Sequence, residues 1–212
     1  MPSLLAAFKA LFRPWAAKNG AAKDRAAKDT GARLYAQCVA QARLPVFYLD
    51  YAVPDEIGAR FELLTFHVGL VIHALRVVKR DDARHEQAQE TAQALFDSFL
   101  LALDSTLREQ GTGDLSVPKK MKKLGQVVYT RMQRWETLWA AGAGPQADYA
   151  ARTLYAGTGL DDMEETGEAA ANVPAPAFAA YARAARDALR VDDIIMGRLD
   201  WPLPAALAAA AE

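Results

Sequence analysis

The segment from residue 53 to about residue 79 constrains the fold most, because it is apolar on nearly every side at helical spacing. It opens with Pro54 followed by Asp55 and Glu56, and this order is typical of a first helical turn. Its most apolar part, residues 63–75, is shorter than the about 20 residues that a bilayer span needs, and it contains histidines. The segment therefore predicts a helix buried at the centre of a helical domain.

The rest of the chain also follows a helical period, and no convincing alternation of period two indicates a strand. The further predicted helices cover residues 30–43, 81–110, 118–141, a short stretch after Pro145, and about 176–190. Two of them carry apolar stripes: Ala88, Ala92, Leu95, Phe99, Leu103 and Leu107 in the first, and Met121, Leu124, Val128, Met132, Trp135 and Trp139 in the second. Gly111 and Gly113 are expected to end the helix before them. The fold class predicted is all-α, with a single multi-helix domain.

The N-terminal segment has a different pattern from the domain. Residues 3–13 predict a short amphipathic helix that Pro14 ends, and residues 16–31, rich in Ala and Lys with two glycines, predict a weakly structured linker. This helix is expected either to lie on a membrane surface or to pack on the domain's own surface. The membrane-surface residues would be Leu4, Phe8, Lys9, Leu11, Phe12, Arg13 and Trp15. The division expected is residues 1–29 for this segment and linker, 30–200 for the helical domain, and 201–212 for an Ala-rich tail.

Signals for catalysis or metal binding are weak. His67 and His73 are six residues apart, which places them on different sides of a helix, so we interpret both as core histidines. Asp82 and His85 form only one element of the pair that a di-iron bundle requires. Cys38 has no nearby histidine, and no glycine-rich phosphate loop occurs. We expect no catalytic residues, no metal and no cofactor.

Four lysines begin the helix at residue 118, and this is the most unusual local feature. Lys119, Lys120, Lys122 and Lys123 stand where the helix macrodipole is already positive, so each cation is locally unfavourable. Ser116 is a candidate cap. The lysines, together with free N–H groups of the helix, predict a surface for an anionic partner. The alternative is a solvated face with no partner, since charged helix faces are common.

The order of residues around these lysines resembles a known family. Leu107-Arg108-Glu109 is followed by Gly111, by the run from Gly113 to Val117, and by the paired lysines. This arrangement is similar to the signature of the ubiquinol–cytochrome c chaperone family, and residues 61–76 are similar to its preceding helix. The resemblance covers about residues 30–190. This chain has Pro118 where the family usually carries glycine, and proline is tolerated in a first helical turn.

The resemblance implies an all-helical assembly factor without catalytic residues, which binds newly made cytochrome b during assembly of the cytochrome bc1 complex. A second assembly factor and the ribosome are further candidate partners; no DNA partner is expected from a net charge of −1. The expected location is the cytoplasmic face of a bacterial inner membrane, or the mitochondrial inner membrane in a eukaryote. The expected partner-binding residues are Arg108, Gly111, Gly113, Asp114, Leu115, Lys119, Lys120, Lys122 and Lys123.

Two other classes stay open at this point. The lysines permit an RNA- or ribosome-binding helical module, although interleaved aromatic residues are missing. A helical bundle could also carry a metal-dependent enzyme.

Overall fold

The computed structural model describes residues 21–109, 111–156 and 168–204, and these are built of α-helices joined by short turns. In chain order the helices are α1 (Ala21–Ala42), α2 (Pro45–Leu49), α3 (Ile57–Arg76), α4 (His85–Glu109), α5 (Val117–Ala141), α6 (Ala143–Thr153), α7 (Ala175–Ala188) and α8 (Val191–Ile195). No strand occurs in these ranges, which confirms the predicted all-α class.

Helix α3 lies at the centre, as its composition predicts. Thirteen of its twenty residues are buried, and it packs against α1, α4, α5 and α8. By length and composition α3 is the one helix of the described ranges that could cross a membrane. However, 67% of its apolar window is already buried within the protein. The apolar character of α3 is therefore used to build the core.

Helix α1 corrects the prediction of a linker over residues 16–31, because the chain is helical from Ala21 onward. Alanine and lysine are good helix formers, and they outweigh the single glycine at position 31. Gly31 is there for close packing: a Cβ atom at this position would lie 2.4 Å from the backbone carbon of Ala94 in α4. Leu34 and Cys38 follow on the same helix and are completely buried.

Helix α4 begins at His85, four residues later than the predicted start at residue 81. The Asp82 carboxylate accepts hydrogen bonds from the backbone N–H and the guanidinium of Arg84, and this local turn keeps Asp82 outside the helix. The Arg84 guanidinium also reaches Asp192 of α8 at 3.1 Å. Helix α3 likewise ends at Arg76, three residues before the predicted end.

The core consists of two clusters that meet along α3. One is rich in aromatic residues and is formed by α2, α3, the end of α5, α6 and α7. Its rings meet edge to face: the ring centroids of Phe47 and Tyr181 are 5.0 Å apart, and those of Phe66 and Phe178 are 5.1 Å apart. The other cluster is mainly aliphatic and joins α1, α3, α4, α5 and α8 around residues such as Ile72 and Leu95.

The C-terminal segment differs from the prediction of a tail that begins at residue 201. The amide Nε2 of Gln37 in α1 donates to the carbonyl of Gly197 at 2.9 Å, and its Oε1 accepts from the N–H of Leu199 at 2.9 Å. The Trp201 ring packs against His67 with centroids 5.2 Å apart. Residues up to 204 therefore belong to the packed domain, since an aromatic ring gains stability from burial that a free tail would lose.

Other predictions fall outside the described residues. These are the amphipathic helix of residues 3–13, with the membrane-surface residues Leu4, Phe8, Lys9, Leu11, Phe12, Arg13 and Trp15, and the Ala-rich stretch after residue 204. The acidic residues 161–165 also lie outside them.

Candidate partner-binding surfaces

Arg108 organises the turn between α4 and α5. Its Nε–H donates to Asp104 one helical turn earlier at 2.7 Å, and its Nη1 donates to Asp114 beyond the turn at 2.6 Å. Gly111 lies between them with a φ of +77°, a conformation that favours glycine. Arg108, Gly111 and Asp114 of the predicted set therefore meet in one turn, and all three are exposed.

The start of α5 is less open to an anion than the sequence indicates. The N–H groups of Ser116 and Val117 both donate to the Gly113 carbonyl, at 2.7 and 3.2 Å, and Pro118 has no N–H. Ser116 stands at the N-cap position, but its side chain makes no capping hydrogen bond. The prediction that free N–H groups add to the lysines is therefore wrong for these residues, because a tight turn precedes the helix and already satisfies them.

The four lysines do lie on the outer side of α5. Lys119 and Lys122 are exposed, while Lys120 and Lys123 are half-buried. The opposite face is in the core, where Leu124 and the stripe residues behind it are buried or half-buried, as predicted. Leu115, immediately before the helix, is 99% exposed. The turn and the first two turns of α5 thus form a surface of cations beside a fully exposed leucine.

A groove runs next to this surface, between α1, α2, α3, α4 and α5, and has a volume of about 680 Å³. Its inner side chains are Phe61 of α3, Leu107 of α4 and Leu124 of α5, which are all buried. The rim is polar and includes the Arg60–Asp55 ion pair at 2.6 Å. We name this feature the apolar groove.

Sequence reasoning did not assign residues to the apolar groove. Leu107 and Leu124 adjoin Arg108 and Lys123 in the sequence, so the groove opens beside the predicted partner-binding residues. A signal was present in Leu103 and Leu107, two members of the predicted stripe of α4 that line the groove. However, the sequence pattern cannot indicate which stripes face the same gap.

A buried ion pair connects α3 with α5. Arg131 Nε–H donates to Glu62 Oε1 at 2.8 Å, and both side chains are almost fully buried. Burial raises the pKa of the Glu62 carboxyl, and the Arg131 guanidinium opposes this rise. Burial is the largest single effect on the pKa of Arg131 and acts to lower it, but the charges and hydrogen bonds of Glu62 and Tyr149 together make the net shift upward. The sequence pattern did not predict this pair. Its one indication there is Glu62, the single acidic residue of the apolar helix α3.

His67 has the role of a core histidine that the sequence predicts. Its Nδ1–H donates to the Leu63 carbonyl at 2.7 Å, and its Nε2 accepts from the Tyr181 hydroxyl at 2.8 Å. The Tyr181 oxygen in turn accepts from the Gln41 amide at 3.0 Å. Burial lowers the pKa of His67 to about 4, so the ring is neutral.

The other candidates for chemistry are dispersed. His73 is half-buried in a small crevice lined by Arg131 and Trp139, which corrects its interpretation as a core histidine. His85 Nδ1 bonds the Val78 carbonyl at 2.8 Å. Burial raises the pKa of the Cys38 thiol, which favours the unreactive form. In the described ranges no three residues of the types His, Cys, Asp and Glu are grouped as metal ligands.

Comparison with known proteins places these features in a family. The family model described as ubiquinol-cytochrome C chaperone matches residues 49–200, which include the Arg108 turn, the lysines and most of the apolar groove. The solved structure entitled crystal structure of the Cbp3 homolog from Brucella abortus is similar, with a TM-score of 0.66 and 28% identity. The similarity covers 85% of this chain and 92% of that one. No curated protein matches the chain. Because the family model covers most of the chain, the protein belongs to the ubiquinol–cytochrome c chaperone family.

Proposed function

We propose that this protein is an assembly chaperone of the cytochrome bc1 complex and that its client is newly made cytochrome b. The observation that carries the proposal is the family match over residues 49–200. The protein is proposed to act by binding alone, without catalysis and without a cofactor. Cytochrome b is a membrane protein, so a chaperone must cover apolar helices from water before their insertion.

The apolar groove is the proposed client site. Its inner wall includes the buried apolar residues Phe61, Leu107 and Leu124, while Arg60 and Asp55 make the rim polar. An apolar core within a polar rim is the arrangement that binds one face of a helix. The proposed occupant is therefore one apolar helix face of cytochrome b.

The cationic surface beside the groove is proposed to bind an acidic partner. Lys119 and Lys122 are exposed and Leu115 projects next to them, so charge and apolar area are offered together. Such a surface suits an acidic loop of the client or a second assembly factor. Contact with the ribosome would use the same cations, but it is a less specific interpretation of this surface.

The proposed location is the cytoplasmic face of the inner membrane, where cytochrome b is inserted. The predicted amphipathic residues Phe8, Leu11 and Trp15, with Lys9 and Arg13, would bind the membrane surface. Removal of residues 1–15 should therefore shift the protein from the membrane to the soluble fraction, with its helical circular dichroism retained.

Gene deletion tests the function. The expected result is a loss of assembled bc1 complex and of ubiquinol oxidation through it, at a normal level of cytochrome b message. A plasmid copy of the gene should restore both. Normal levels of the complex in the deletion strain would refute the proposed function.

A further inference from the structure

A second crevice lies between α5 and α6, has a volume of about 470 Å³ and shares no lining residue with the apolar groove. Three arginines line it: Arg131 and Arg134 from α5, and Arg152 from α6. Arg134 follows Lys122 by twelve residues of the same helix, or roughly 18 Å at 1.5 Å per residue. Nothing in the chaperone function described above uses this crevice.

The arginines differ in how their charge is balanced. Arg131 is paired with the buried Glu62, and Arg152 with Asp148 at 3.0 Å on the surface. Arg134 is exposed and makes no salt bridge within the described part of the chain. Asp148 is the one acidic residue of the lining. Among the described residues the crevice therefore keeps one uncompensated cation, Arg134. The exposed Arg152–Asp148 pair can release its guanidinium at little cost.

A buried hydroxyl in the same crevice has no acceptor for its proton among the described residues, since its neighbour Arg131 can only donate. Tyr149 is only 6% exposed, and its oxygen makes no hydrogen bond of good geometry in the described structure, although Arg131 lies beside it. Burial raises the pKa of this phenol, so it stays protonated and can donate. A buried donor without an acceptor is destabilising, and native proteins rarely keep one without reason.

We propose that this crevice binds a phosphate group, held by the Arg134 and Arg152 guanidiniums and by the Tyr149 hydroxyl. The paired N–H donors of an arginine guanidinium match the spacing of phosphate oxygens, and a tetrahedral phosphate accepts hydrogen bonds from several directions at once. A carboxylate offers only two oxygens in one plane, which suits donors from two helices less well. The phosphate can belong to a small soluble ester or to a phospholipid headgroup, since both present the same oxygens.

Two single substitutions in the full-length protein test the site. Tyr149→Phe removes only the hydroxyl, and Arg134→Gln removes the uncompensated charge. Because the hydroxyl proton has no acceptor and Arg131 keeps its ion pair with Glu62, Tyr149→Phe should melt close to the temperature of the wild type. Arg80→Gln is the control, since Arg80 is an exposed arginine outside the crevice.

The probes are inorganic phosphate, titrated by calorimetry at constant ionic strength, and phosphatidylcholine vesicles with phosphatidylglycerol, used in flotation. Each variant should weaken binding by at least about tenfold, as loss of a charge-assisted hydrogen bond does, while Arg80→Gln changes nothing. Weaker phosphate binding with unchanged flotation assigns a small soluble ester, and reduced flotation assigns a headgroup. If neither probe distinguishes Tyr149→Phe and Arg134→Gln from the wild type, the proposal is overturned.

Discussion

Two sets of polar residues carry charge or hydrogen bonds in very different surroundings. The first lies inside the protein on α3, where Glu62 pairs with Arg131 and His67 bonds Tyr181. The second lies outside, where Arg108 bonds Asp104 and Asp114 at similar distances of 2.6–2.7 Å. Buried polar groups cannot exchange their partners for water, but exposed ones can. The inner set should therefore determine stability, and the outer set should be available for partners.

The largest expected effect is on the buried ion pair. Glu62→Gln leaves the Arg131 charge buried without a counter-ion, and we expect it to lower the free energy of unfolding by about 3–5 kcal/mol. Urea unfolding followed by circular dichroism measures this change. The control is Arg198→Gln, which breaks the exposed ion pair with Asp193 and should have almost no effect. Equal stability losses in the two variants would remove the distinction between inner and outer sets.

The pH dependence of stability reports on His67. Its pKa is about 4 in the folded protein and near 6.5 when unfolded, so the unfolded chain takes up a proton first as the pH falls. Stability from this group is therefore complete above pH 6.5 and decreases toward pH 4, by roughly 3 kcal/mol in total. The comparison is with His67→Gln, which should lack this component. Parallel pH profiles of the two proteins would contradict a neutral buried imidazole.

A substitution at Arg108 tests the outer set, for which the expected effect is on partner binding and not on stability. Arg108→Gln should leave the melting temperature nearly unchanged, because its two ion pairs are exposed. Capture of the client should weaken several-fold, since Arg108 holds the turn that presents Leu115 and the lysines. Co-purification of cytochrome b measures this, with Arg198→Gln as the control. A large fall in melting temperature would show that the turn is structural.

The four lysines give the smallest expected change in stability. Replacement of Lys119, Lys120, Lys122 and Lys123 by glutamine should leave stability equal or slightly higher, because cations at a helix N-terminus oppose the macrodipole. Binding to an acidic partner should become weaker and less dependent on salt. A matched control neutralises four exposed cations elsewhere, Arg76, Lys79, Arg80 and Arg190. Lower stability with normal partner binding would show that the lysines serve the fold.

Helical periodicity predicted most of the fold, because each helix buries a face that is already visible along the chain. The stripe of α5 and the central α3 are examples. The start of α1 was missed because Gly31 reads locally as a breaker, whereas its use against Ala94 depends on a contact distant in sequence. The position of Trp201 against His67 was missed for the same reason.

The candidate sites could likewise be predicted only where their residues are close in sequence. Arg108, Gly111, Asp114 and the lysines are close in sequence, so a motif could indicate them. The apolar groove and the arginine crevice combine residues from separate helices, such as Phe61 with Leu107 and Arg134 with Tyr149. Each of these residues is ordinary alone, and only packing brings them together.

The most direct test of the central claim is capture of newly made cytochrome b through the apolar groove. The double variant Ala102→Glu with Thr106→Glu places two charges on α4 where it lines the groove. The control, Leu101→Glu with Ser105→Glu, places the same charges on exposed neighbouring positions of the same helix. Pulse-labelled cytochrome b that co-purifies with each protein is measured. We predict that the groove variant loses most of the labelled client while the control retains it. Equal capture by both variants would contradict the groove as the client site.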